Sequence, residues 1–236
     1  MSRRVVATAH QPEYLPPPRF FHKVAHADVL IFLDGPGIMF DRSSYQHRAR
    51  IAKAGKAMES RWLTIPFAHV GSLQELRSLI ASGDDWAEEH LRHLRESYRD
   101  APHWAEMGPR FELALRHWRA VAGGSIPLIS QLSVVAILAW LGLSMPRIVD
   151  HSSTLVDCLD PTDRLIALCK HVGATVYLSG RSGAKILRED AFERSGIELR
   201  VQNYDGLNTG GNWSGLSILH SLCVAGVEAV REDMTS

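Results

Sequence analysis

The chain has 236 residues, 45% of them hydrophobic and 22% charged, with 26 basic side chains against 26 acidic ones. That length suits one large domain or two small ones with a sizeable core, and the zero net charge excludes a general nucleic-acid binder and a polybasic membrane protein. Three cysteines, Cys158, Cys169 and Cys223, give no even disulfide framework, and the opening residues lack the apolar run of a signal peptide, so the expectation is a cytoplasmic globular protein with no membrane segment.

In chain order, Arg4 to Ala9 reads as a short buried strand that stops at His10-Gln11-Pro12. Pro12, Pro16, Pro17 and Pro18 then stiffen a loop, each fixing its own φ and restricting the residue before it. A helix over 20–27 and a buried strand over 28–34 follow, a βαβ pattern that predicts parallel pairing. Trp62 to Phe67 is a strand candidate for a sheet edge or a strand end, because of Pro66. Asp84-Asp85 can cap a helix ending near Tyr98, and a second helix runs from about His103 to Val121. Gly123-Gly124 marks a candidate subdomain boundary near 122–126 within a single 1–236 domain. The uncharged stretch 120–146 is interrupted by glycine, proline and serine, so it reads as a buried helix rather than a bilayer span. Beyond it come a strand over 147–151, a helix over 160–172, strands over 174–178 and 197–204, and a helix over 217–225. The alternation predicts an α/β fold with a mainly parallel sheet, flanking helices and a helical middle segment.

Four features carry candidate chemistry. His10, Gln11 and Tyr14 leave a buried strand at the carboxyl end of the sheet, the edge where open α/β folds bind ligands. Asp34 ends the next strand and could orient His10 and raise its basicity. Tyr45, His47 and Arg48 lie in the basic stretch from Arg42 to Arg61, where an Arg fork suits a carboxylate or phosphate; Arg50, Lys53 and Lys56 read as solvated. Ser179-Gly180 follows a strand without the spacing of a P-loop or a dinucleotide fingerprint. His22 and His26, and His90 and His93, stand at helical spacing but lack a metal-site pattern, so no metal is expected. The three cysteines read as core residues. The sequon Asn212-Trp213-Ser214 carries little weight without a secretory signal.

Taken together, AHQPEYLP (9–16), FFHKVAHADVLIFLD (20–34), SSYQHRARI (43–51), RWLTIPF (61–67), RLIALCKHVGATVYLSG (164–180), FERSGIELRVQNY (192–204) and LSILHSLCVAG (216–226) resemble the WbqC-like family of bacterial proteins, often encoded in surface-sugar and natural-product gene clusters. The resemblance implies a single α/β domain with motif residues His10, Gln11, Pro12, Tyr14, Asp34, Arg48, Ser179 and Gly180. Departures from the pattern are His47 in place of Asn, His220 in place of Asp, and a segment after Tyr204 without the usual Pro and Tyr.

The expected function is a transferase that passes an acyl or aminoacyl group to the amine or hydroxyl of a small polar or anionic acceptor. His10, oriented by Asp34, would deprotonate the acceptor, Arg48 would hold an anion, and Ser179-Gly180 would stabilise developing charge. A nucleotide-dependent ligase or nucleotidyltransferase and a non-catalytic ligand-binding protein are the alternatives. Cofactor identity and homo-oligomerisation stay open at this level.

Overall fold

The computed structural model describes residues 4–53, 59–68, 74–206 and 215–236. Lys56, the sequon Asn212-Trp213-Ser214 and most of the segment after Tyr204 lie outside them. Among the described residues no helix is long and apolar enough to cross a membrane.

Five short strands form one parallel sheet: β1 (Val6–His10), β2 (Val29–Phe32), β5 (Arg147–Asp150), β6 (Val176–Ser179) and β7 (Glu198–Val201), in the order β5-β2-β1-β6-β7. β2 and β6 are buried at every position, which fits the apolar runs VLIF and VYL that fill them up to Ser179. α1 (Pro18–Ala25) starts on a proline, whose missing N–H costs nothing in a first turn. α5 (Pro161–Val172) uses the same device, with the Asp160 carboxylate accepting from the Asp163 N–H and Gly173 closing the helix at φ 72°.

Side chains alternate across the sheet. Ala7, Ala9, Val29, Ile31 and Tyr177 face Leu165, Leu168, Cys169 and Val172 of α5 and Phe192 of α7 (Glu189–Arg194), which follows the single turn α6 (Arg181–Ala184). Leu30 and Phe32 face the larger core, built from α1, α2 (Trp86–Tyr98), α3 (Trp104–Val121), α4 (Ile126–Trp140) and α8 (Ile218–Thr235). Residues on both sides of Gly123-Gly124 contribute to that one core. The uncharged middle stretch becomes α4, whose Ser125 cap accepts from the Leu128 N–H.

Several elements differ from the expectation. The basic segment forms β3 (Arg48–Ala52), paired antiparallel with β4 (Ser60–Thr64) in a separate two-stranded sheet. β4 therefore begins before Trp62 and ends before Pro66. Asp85 precedes α2 without a side-chain cap. The final helix runs on to Thr235 through a kink at Gly226, where φ is 86° and a Cβ would stand 2.5 Å from the His103 ring. Only glycine fits there.

Candidate functional site

The sheet grows from β1 in both directions, to β2 on one side and to β6 on the other, so the gap between β1 and β6 is a topological switch point. The ladder itself opens the gap. β1 and β6 pair only at Val6↔Val176 and Ala7↔Tyr177, whereas β1 stays paired with β2 through His10↔Phe32 and β6 with β7 through Ser179↔Val201. Past Ala7 the Thr8 hydroxyl donates to the Leu178 carbonyl at 2.8 Å in place of a backbone bond. The strand ends part around a cleft of about 540 Å³, lined by His10, Gln11, Ser179 and Gly180 among others.

The loop that leaves β1 is held in one conformation. Leu15, buried, takes a left-handed φ of 48°, a strained state for a non-glycine residue. Its N–H donates to Ser133 Oγ at 3.2 Å, and the Tyr14 N–H donates to the Tyr45 carbonyl at 2.8 Å. Gln46 ties the same loop to the segment before β3 by donating to Gln11 Oε1 at 2.5 Å.

His10 stands at the centre. Its ring packs edge-on against Phe20, 4.9 Å between centroids, and Nδ1 lies 2.9 Å from the Gln11 carbonyl. A carbonyl can only accept, so Nδ1 carries the proton and Nε2 keeps its lone pair. Nε2 is 3.8 Å from Glu13 Oε1, and the His10 side chain is 29% exposed, toward the cleft. Burial, with help from the Lys23 and Arg19 cations, lowers His10 to about 3, so the ring is neutral. Glu13 moves the opposite way: burial raises it to about 7 against the pull of Arg19 and Lys23. Lys23, 5% exposed and donating to the Ala9 carbonyl at 3.4 Å, is lowered to about 8, chiefly by burial.

The predicted site residues separate. His10, Gln11, Ser179 and Gly180 share the cleft. Asp34 does not reach His10: its two oxygens accept from the Ser152 N–H and Oγ, each at 2.9 Å, at the end of the neighbouring strand. The carboxylate facing His10 is Glu13, three residues along the chain. Tyr14 is wholly buried, with its hydroxyl 2.9 Å from His90 Nδ1, because the loop turns it into the core. The Arg48 guanidinium stacks on Trp62 at 4.1 Å and donates to the Ser43 and Ser44 carbonyls. Tyr45 packs against that same Trp62. Neither lines the cleft: Arg48 is the first residue of β3 and Tyr45 lies in the segment just before it, and both are spent on Trp62 of β4.

The cleft residues that the sequence reading passed over are Glu13, Arg19, Lys23, Arg164 and Arg181. A signal existed for Lys23: it lies three residues after Phe20 on the apolar side of α1, and a lysine there is out of place on a merely solvated face.

His22 and His26 stack on each other, 4.4 Å between centroids, while His93 contacts Glu89, Glu96 and Arg61. Among the described residues no group of three or more His, Cys, Asp or Glu side chains is placed to hold a metal ion.

The WbqC-like protein family matches residues 11–232. Over 229 residues, 93% of each chain, the sequence is 29% identical to the uncharacterized protein Rv1507c of Mycobacterium tuberculosis. No solved structure matches.

Proposed function

The chain belongs to the WbqC-like protein family, and on that premise we propose that it is a transferase moving an acyl or aminoacyl group onto the amine or hydroxyl of a small anionic acceptor bound in the β1–β6 cleft. The observation that supports this reading most is the neutral His10 imidazole, its Nε2 lone pair open to a cleft that also holds Lys23 and Arg19. The acceptor N–H or O–H gives its proton to Nε2, the freed lone pair attacks the acyl carbon, and the leaving group takes the proton back from the imidazolium. Three causes depress His10: burial and the charges of Lys23 and Arg19. An anionic acceptor screens the two charges, so the ring gains basicity when substrate is bound. Glu13 then faces the imidazolium as its counter-charge. Gly180 has open space around its α-carbon, so the developing oxyanion can approach its backbone N–H without a side chain in the way.

On this reading the setting is cytoplasmic biosynthesis of a surface sugar or natural product, in line with three unpaired cysteines. The test is to incubate the protein with acyl and aminoacyl thioesters and a panel of amino and hydroxy acids, with products read by mass spectrometry. The expected product is acceptor plus acyl group, lost in His10→Ala. Binding of the acceptor with no transfer from any donor would contradict it and favour a ligand-binding protein.

A further inference from the structure

We propose that the Lys23 ammonium anchors the anionic group of the ligand while the opposite wall of the cleft takes an aliphatic body, so that the site is built for a small aliphatic carboxylate. This rests on the cleft being the ligand site, but not on the transfer step.

Lys23 is 5% exposed, yet it lines the cleft, and its hydrogen bond among the described residues is a long one, 3.4 Å, to the Ala9 carbonyl. An ammonium has three donors, and burying one with donors unfilled is costly. Glu13, the acidic side chain whose charge acts on Lys23, forms no ion pair with it within 4.0 Å and is itself pushed toward its neutral form by burial. A ligand anion satisfies the remaining donors. Arg19, one turn earlier on α1 and exposed at the same cleft, adds a second positive charge. The wall across the sheet from α1 is different in kind: Pro161 and Leu165 of α5, with Ile186 and Leu187, present hydrocarbon. The one cation there on α5, Arg164, is already occupied by the Cys158 and Leu159 carbonyls. A ligand bridging the two walls needs an anion at one end and an apolar body at the other.

The charge balance gives the site a pH signature. Glu13, raised to about 7, and Lys23, lowered to about 8, are both driven toward their protonated forms by an added anion, so binding takes up protons and weakens as the pH rises through 7 to 9. The other titratable or charged groups facing the cleft are His10, Arg19, Tyr177, Arg181, Tyr204 and the engaged Arg164.

The test is calorimetric titration of the full chain with pentanoate, pentyl phosphate, inorganic phosphate and 1-pentanol at pH 7, with pentanoate repeated at pH 9. The expected result is that pentanoate binds at least tenfold more tightly than the other three, and at least tenfold more weakly at pH 9 than at pH 7. Lys23→Met loses tenfold or more and Lys23→Arg recovers part of it. Ile186→Asp, at a position 70% exposed and so neutral for folding, also weakens pentanoate. Unchanged affinity in Lys23→Met, or no pentanoate binding at millimolar concentration, overturns the proposal. Inorganic phosphate as tight as pentanoate overturns the apolar wall, and pentyl phosphate as tight or tighter overturns the carboxylate assignment. These readouts are independent of turnover, so the transfer reaction and the anchor can fail separately.

Discussion

At the carboxyl end of β1, Nε2 of His10 faces Oε1 of Glu13 across 3.8 Å. The two groups are tuned apart, the imidazole down to about 3 and the carboxyl up to about 7, chiefly by burial. A pair of this kind can hold and return one proton.

The ionised form of Glu13 is the one that supports a His10 imidazolium. The maximal rate therefore rises with pH through a step at or above pH 7, because a bound anion pushes the Glu13 transition up from about 7. Glu13→Gln should abolish that step and lower kcat by roughly 10-fold to 100-fold, toward the lower end of general acid–base contributions. A pH–rate profile of both proteins checks this; an unchanged step in the variant excludes Glu13 as its source.

Tyr14 belongs to the core. Removing its hydroxyl in Tyr14→Phe leaves His90 Nδ1 buried without its 2.9 Å partner. The expected loss is about 1–3 kcal/mol of stability, measured by urea unfolding, with activity per folded molecule unchanged. A selective loss of substrate affinity would return Tyr14 to the ligand site.

Arg48 holds the hairpin to the loop before it. Arg48→Ala gives up the stack on Trp62 and two hydrogen bonds to carbonyls, about 1–2 kcal/mol. Arg48→Lys restores little of it, since an ammonium lacks the planar fork. KM should stay within about twofold of the wild type in both variants, a margin well under the roughly 1.4 kcal/mol that a tenfold change represents. A KM increase of tenfold or more would make Arg48 a ligand residue.

Acid should unfold the protein through the histidines that folding keeps neutral, His47 and His90 in the core and His10 at the cleft. Burial holds His10 at about 3 and His47 and His90 at about 4, against about 6.5 in an unfolded chain. The unfolded state binds more protons between pH 6.5 and 4, so the stability from keeping these rings neutral is present above 6.5 and is lost as the pH falls through that window. Glu13 works in the opposite sense, its folded value raised to about 7, and offsets part of the loss. The net expectation is a loss on the order of a few kcal/mol between pH 7 and 5, read from denaturant midpoints. Constant stability over that range would contradict the neutral burial of these rings.

The parallel sheet was legible because its strands are apolar runs with abrupt ends: Arg4–Ala9 became β1, and Asp28–Asp34 contains β2. The position of the cleft at the carboxyl edge followed from the same pattern, which is why His10 and Ser179-Gly180 line it together. What the pattern could not convey was direction after a strand ends. Asp34 and Glu13 both follow a strand by a short step, yet one turns to Ser152 and the other to His10, a choice made by proline geometry and by the left-handed Leu15. β3 was hidden because alternating Arg, Ala and Ile in RARIA reads as a charged surface until β4 pairs with it. The continuation of α8 past Ala225 was hidden by Gly226, since glycine is a common helix stop but here bends one helix around His103.

The most direct measurement is single-turnover acyl or aminoacyl transfer by wild-type protein and His10→Ala, with acceptor affinity measured in parallel. A general base in the β1–β6 cleft predicts a fall of 100-fold or more in the chemical step with acceptor affinity held within a few-fold. Transfer at the wild-type rate in His10→Ala would contradict it.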